Sequence, residues 1–466
     1  MAVTRRQTLL TGGAALLAGA APRAAWGRTE ADVLIIGAGL AGLHAASLLE
    51  AQGVRVIVIE GERRVGGRMH TLDDLPGAPE AGGVQIGSGY HRIIGLTKRH
   101  GIPLEPAPSI DRNVLYHIGG RSVTMADWPG SDANRLPAPE RAIPPGALGP
   151  AFGARMAALP TPQSWMEPNA AALDISYAAA LAQAGASAEA IRLIDANLNG
   201  NSVHSLSALH VARTAAIFRA SPGPLLMIGG GSQRLPEAMA ATLATPPRLG
   251  QQVAAIAESP ENVTVTLTNG KTITARHALC TIPFAALRTI PIEAPISRDL
   301  AALIAGLPYS RASFAYLAAS DAFWKSDGLP ETLWSDDPLI GRVFALGEDP
   351  PMLKVWLSGP NAGRLDRMPR DVAAGAIIAR IEAARPAARG KLRLARLFSW
   401  QRSPMARGIY HHIAPGQAAT LAAGCRARGN RLHFAGEHLA QGSSGMEGSL
   451  ESAEQAVATM LGRLGT

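Results

Sequence analysis

Behind Asp32, the residues Val33-Leu34-Ile35-Ile36 form an unbroken apolar run. A run this short and this continuous predicts a strand buried on both faces of a parallel sheet. It leads into a glycine-rich turn, after which Leu40 to Ala51 carries its apolar residues at helical spacing. Val54-Arg55-Val56-Ile57-Val58-Ile59-Glu60 predicts a second buried strand. Strand, helix and strand together make one βαβ unit. Strict alternation appears later, in Val263-Thr264-Val265-Thr266-Leu267 and Thr272-Ile273-Thr274-Ala275. With Asn269-Gly270 between them, these predict a hairpin closed by a type I′ turn. Asp174 to Arg219 reads as helices of a separate lobe, and residues 291–395 mix strands and helices that return to it. The Pro-, Ala- and Gly-rich stretch from Trp128 to Trp165 predicts a long surface loop or lid.

Composition narrows the class. The chain has 466 residues, 47% hydrophobic and 17% charged, which suits a folded protein of two lobes rather than a disordered one. Its formal charge of +8 does not come from a dense basic run interleaved with aromatics, so no nucleic-acid partner is expected. Cys280 and Cys425 are the only cysteines, with neither a disulfide framework nor a metal-ligand spacing, and no metal is expected. Thr4-Arg5-Arg6-Gln7-Thr8-Leu9-Leu10, the short apolar stretch to Ala21 and Ala25-Trp26-Gly27 resemble a twin-arginine signal peptide over residues 1–27. The apolar stretch is too short to span a membrane. The expectation is export in the folded state to the periplasm, with no stable membrane insertion.

The chemistry starts at Gly37-Ala38-Gly39-Leu40-Ala41-Gly42. Gly37 permits the tight bend, Gly39 lets backbone approach a pyrophosphate, and Gly42 lets helix and strand pack closely. Leu40 and Ala41 open the helix whose N-terminus faces the phosphates. Glu60, at the end of the second strand, is the acid for the ribose hydroxyls. Glu60-Gly61-Glu62-Arg63-Arg64-Val65-Gly66-Gly67-Arg68 is similar to the acid-to-GGR segment of the flavin amine oxidase superfamily. Gly82-Gly83-Val84-Gln85-Ile86-Gly87 with His91-Arg92-Ile93-Ile94, and Gly229-Gly230-Gly231 with Leu235-Pro236, resemble further segments of that family. So do Phe434-Ala435-Gly436-Glu437-His438 and Gly445-Met446-Glu447-Gly448 near the other end.

The resemblance implies an α/β fold of two lobes: a Rossmann-like FAD-binding domain and a discontinuous, mixed α+β substrate domain. The former takes residues 31–87, 222–290 and 396–466; the latter takes 88–221 and 291–395. It implies FAD held by Gly37, Gly39, Leu40, Ala41, Gly42, Glu60, Gly66, Gly67, Arg68, Val253, Gly436, Glu437 and Met446. Monoamine oxidases carry a flavin-linking cysteine shortly before the closing motif. Ser403 to Tyr410 holds none, so FAD is expected to be non-covalent. The implied reaction is oxidation of a primary or secondary amine to an imine by hydride transfer to flavin N5, with the imine then hydrolysing.

Substrate-side candidates are Trp400, Tyr410 and His411. The two-aromatic cage of monoamine oxidase falls on Ile409 and Gly445, so a different wall is expected. Where L-amino-acid oxidases place a carboxylate-binding arginine this chain has Gln85 and Ile86; that argues against an α-amino acid, though Arg92 or Arg407 could substitute, and the expected substrate is an amine with an apolar body. An L-amino-acid oxidase and a flavin desaturase or isomerase on the same fold remain the alternatives. The family's lysine near flavin N5 falls on Phe314, ahead of Phe323-Trp324. Fast reaction with oxygen is therefore not expected, and a periplasmic cytochrome or quinone is the expected acceptor in its place, with oxygen as the other candidate. The family also admits a homodimer.

Overall fold

The computed structural model describes residues 30–107 and 113–465; the twin-arginine segment lies outside them. Two seven-stranded sheets of mixed strand orientation organise an α/β fold. In the first sheet, β1 (Ala31–Ile36) lies between β2 (Val56–Ile59) and the long strand Thr272–Cys280, parallel to both. The strand Leu432–Phe434 adds alongside the far half of Thr272–Cys280. Alternate residues of β1 point to opposite faces, and each face is covered. Val33 and Ile35 pack in a cluster with Leu43, Leu49, Leu450 and Val457 from helices α1 (Leu40–Glu50) and Gly445–Leu464. Leu34 and Ile36 pack in another with Phe284, Leu303 and Leu421. Burial on both faces is why this strand has no polar alternation.

The second sheet runs Leu392–Ser399, Ala312–Ala319, Pro351–Ser358, Arg342–Glu348, Thr332–Ser335, Val114–Ile118 and Arg121–Val123. Here the two faces of the strands meet different surroundings. Ala315, Leu317, Val343, Leu353 and Val355 pack against Ile377 and Ile381 of helix Arg370–Ala384. The intervening residues Phe314, Tyr316, Arg342, Phe344, Lys354 and Trp356 share the opposite face, brought side by side by the register. Phe314 and Arg342 lie opposite Trp356, while Tyr316 and Phe344 lie opposite Lys354. Three helices, Tyr177–Gln183, Ala188–Ala196 and Ala208–Ala220, cover one end of this sheet. Each starts at a serine (Ser176, Ser187, Ser207) whose hydroxyl accepts a first-turn backbone N–H, the arrangement that stabilises a helix start.

Two local expectations fail. The stretch from Trp128 to Trp165 is not a surface loop. Trp128, Leu148, Phe152 and Trp165 are buried, with a helix over Pro145–Gly153. Trp128 donates its indole N–H to Ile143 O at 3.0 Å and Trp165 donates to Gln441 O at 2.8 Å. Large buried aromatics outweigh the prolines and glycines between them. In the hairpin, only Gly270 of the Asn-Gly pair has positive φ, at 81°, whereas a type I′ turn needs both. Asn269 instead turns its side-chain carbonyl to the N–H of Lys271 at 3.0 Å. Among the described residues no helix is long and apolar enough to cross a membrane.

Candidate functional site

The glycine turn at the end of β1 shows three different demands. Gly37 has a φ of 111°, and a Cβ there would lie 2.5 Å from Thr281 Oγ1. A Cβ on Gly42 would lie 1.9 Å from Gly37 O, so helix and turn require its absence. A Cβ on Gly39 would meet nothing within 4 Å. Gly39, Leu40 and Ala41 line a large cavity, and no side chain caps the start of α1. Uncapped N–H groups and the positive end of the helix dipole face that open space, the arrangement an anionic phosphate needs.

Glu60 lines the same cavity. Its carboxylate accepts the backbone N–H of Ala38 at 2.7 Å and of Glu62 at 2.8 Å. Burial raises its pKa from the ordinary carboxylate value, against the pull of those two bonds. Gly66 and Gly67, both at positive φ, line the cavity beside it, as do Arg68, Val253, Gly436 and Met446. Arg68 donates to Glu437 Oε1 at 2.8 Å and to Ile409 O at 2.9 Å. Glu437 Oε2 lies 2.5 Å from His411 Nδ1. Burial works against ionisation of Glu437, but His411 and Arg68 outweigh it and hold the carboxyl well below its usual range. The GGR segment and the closing motif thus meet through a charge-assisted bond. The open space at Gly39, the uncapped helix and the acid facing the cavity together fit FAD.

The cavity continues past this region to the face of the second sheet. Its volume is about 1540 Å³, and Trp334, Arg342, Phe344, Lys354 and Trp356 of that sheet line it together with Tyr410. Single small-molecule sites run to about 1,000 Å³, so this one has room for a dinucleotide and a second molecule.

Of the substrate-side candidates, Tyr410 lines the chamber and donates its hydroxyl to Asn199 O at 3.1 Å. Burial pushes its phenol up to about 12. Trp400, only 1% exposed, also lines the cavity and donates its indole N–H to Ala81 O at 2.8 Å, which fixes it against the Glu80–Gly82 strand. His411 is buried against Glu437 and does not line the cavity. Arg92 is engaged by Glu447 and Glu454, whereas Arg407 is exposed at the cavity edge.

Sequence reasoning missed the wall contributed by the second sheet. Phe314 is fully buried, and Lys354 from the adjacent strand places Nζ 4.2 Å from its ring centroid and 5.0 Å from that of Trp356. Lys354 also donates to Glu80 O at 2.7 Å, and burial pulls its pKa down to about 7. The available signal was its place as the lone charge in Met352-Leu353-Lys354-Val355-Trp356.

Residues 40–461 match the model of the flavin-containing amine oxidoreductase family. The chain belongs to that family. This flavin amine oxidoreductase is 30% identical over 329 residues to AofH of Mycobacterium tuberculosis, which bears the name of a flavin-containing monoamine oxidase. The match spans 67% of this chain and 70% of AofH. It is 23% identical to the flavin-containing amine oxidase A of Bos taurus, covering 93% of this chain and 85% of the bovine one. Among solved structures it is similar to the cyclohexylamine oxidase of Brevibacterium oxydans IH-35A, with a TM-score of 0.76 and 25% identity over 94% of this chain and 100% of that one. Putrescine oxidase shares the fold, with a TM-score of 0.72 at 22% identity, covering 93% and 99% of the two chains.

Proposed function

We propose that this enzyme binds FAD non-covalently and oxidises a primary or secondary amine to an imine, which water then converts to an aldehyde or ketone. The observation that carries this reading is the continuity of one cavity from the glycine turn and Glu60 to the aromatic chamber of the second sheet. The flavin would supply the electron-accepting ring. The chain's own residues do the positioning. The start of α1 and Glu60 would hold the dinucleotide, while Arg68 ties the GGR segment to the closing motif through Glu437. Phe344, Trp356 and Tyr410 form a largely apolar chamber that keeps water from the reacting amine. Among the described residues no cysteine or histidine lines the cavity, which supports a non-covalent cofactor.

Oxygen is the favoured acceptor, because Lys354 brings an amine beside the Phe314 ring from a neighbouring strand. A periplasmic cytochrome or quinone is the alternative, and slow reoxidation of the reduced enzyme in air would select it. Export of the folded enzyme by the twin-arginine route belongs to the same proposal. Replacing Arg5 and Arg6 by lysine should leave the protein in the cytoplasmic fraction.

The deciding experiment is an anaerobic visible spectrum of the holoenzyme titrated with a panel of amines. Bleaching of the flavin band by an amine is the expected result. A yellow protein that no amine bleaches would overturn the reading in favour of desaturation or isomerisation.

A further inference from the structure

Three arginines line the cavity, and their surroundings differ. Arg68 is neutralised by Glu437 at 2.8 Å. Arg407 is exposed, two residues from Met405, whose sulfur packs against Gly61 on the nucleotide side. Arg342 stands in the far chamber and, among the described residues, forms no ion pair with any carboxylate. One terminal nitrogen donates to Asn199 Oδ1, and the guanidinium carbon lies 5.6 Å from the Trp356 ring centroid. Its Nε–H is buried and has no acceptor.

A guanidinium keeps its proton under any ordinary condition. Arg342 is half-buried; withdrawing a guanidinium from water without a counter-ion is costly, and an orphaned donor adds to that cost. The protein nevertheless builds a mount for it. Asn199, which accepts from Arg342, is itself held through its backbone carbonyl by the Tyr410 hydroxyl. Trp356 lies opposite Arg342 in the strand ladder. Burial lowers the pKa of Arg342, with only Tyr410 opposing. A positive fork with unused donors, fixed in a cavity large enough for a second molecule, matches the two oxygens of a carboxylate.

We propose that Arg342 is a carboxylate-recognition residue, and that the preferred substrate is an amine bearing a carboxylate, bound with that group on Arg342. This rests on the amine-oxidation reading and narrows its substrate class. The expected arginine position after the GGR segment holds Gln85 and Ile86, so the cation has been supplied from the opposite lobe.

The test uses the holoenzyme in two assays. In the first, benzoate, which cannot be oxidised, is titrated while the flavin absorbance is followed. In the second, anaerobic flavin reduction is compared for matched pairs, phenylalanine with phenethylamine and leucine with isoamylamine. Benzoate should perturb the flavin spectrum, and Arg342→Met should weaken its binding about 100-fold. Arg342→Lys, which keeps the charge but not the fork, should fall between. The amino acid of at least one pair should reduce the flavin at about 100-fold lower concentration than its amine, and Arg342→Met should abolish that preference. Equal reduction by both members of each pair, unchanged by Arg342→Met, would overturn the proposal while leaving amine oxidation standing. Reduction by neither, with benzoate binding still dependent on Arg342, would remove the amine-oxidation reading but keep the anion site. Failure of benzoate to bind the unsubstituted enzyme would overturn the anion site itself. The comparisons on the unsubstituted enzyme hold even if Arg342→Met does not fold.

Discussion

A single methyl-sized space separates three glycines that look equivalent in the motif. Gly37 and Gly42 are forced by the protein's own atoms, whereas at Gly39 a side chain would have open space. Gly39→Val should therefore fold but lose cofactor affinity by about tenfold or more, which corresponds to about 1.4 kcal/mol. Equilibrium dialysis against FAD, with circular dichroism to check the fold, measures this; unchanged affinity would mean that no ligand approaches Gly39. Lys354 makes a different prediction. An unfolded lysine keeps its proton to about pH 10.5, but the buried one holds it only to about pH 7. Between those values the unfolded chain binds more protons, so stability rises with pH across that window and is flat below it. From pH 7 to pH 9 this contributes about 2–3 kcal/mol. Urea unfolding of Lys354→Met should lack that rise, and an identical pH slope in both proteins would show that Lys354 is not the titrating group.

Elements differed in how much of them could be read from sequence. β1 was legible because both faces are buried, so its apolar run has no polar alternation to confuse it. The chamber wall was not legible. Arg342, Lys354, Trp356 and Phe314 become neighbours only through strand register, and nothing local in the sequence announces which strands pair. Trp128 and Trp165 were misread for a related reason: their partners, Ile143 O and Gln441 O, carry no side-chain signature. One element junction carries its own prediction. Arg385, at the end of helix Arg370–Ala384, binds both oxygens of Asp327 at 2.6 and 2.7 Å and donates to Pro330 O and Trp324 O. Its side chain is 5% exposed and that of Asp327 9%. Arg385→Met leaves a buried carboxylate without its cation, held only by the Leu329 N–H at 3.1 Å, which should cost about 3–5 kcal/mol of stability. The bound-flavin spectrum should stay unchanged, since neither residue lines the cavity. Differential scanning calorimetry and absorbance report the two halves, and a shifted flavin spectrum would mean that this junction reaches the site.

At the scale of the whole molecule, the proposed non-covalent binding of FAD would make stability depend on its concentration. Free FAD at 100 times its Kd should stabilise the fold by about 2.7 kcal/mol, seen as a melting temperature that climbs with added FAD. Flavin that stays with the protein after denaturation would reveal a covalent link instead. The cavity also draws its walls from distant parts of the chain: Gly37 to Arg68 on one side, Gly436 to Ser449 on another, and the second sheet closing the far end. During synthesis a chain made only as far as residue 430 would have a phosphate turn but no Glu437 to neutralise Arg68 and no Met446 to complete the wall. At about 5–20 residues per second, tens of seconds separate the emergence of the two glycine motifs from the ribosome. Loading with flavin is thus expected to await the finished polypeptide, and a chain terminated before the closing motif should remain colourless.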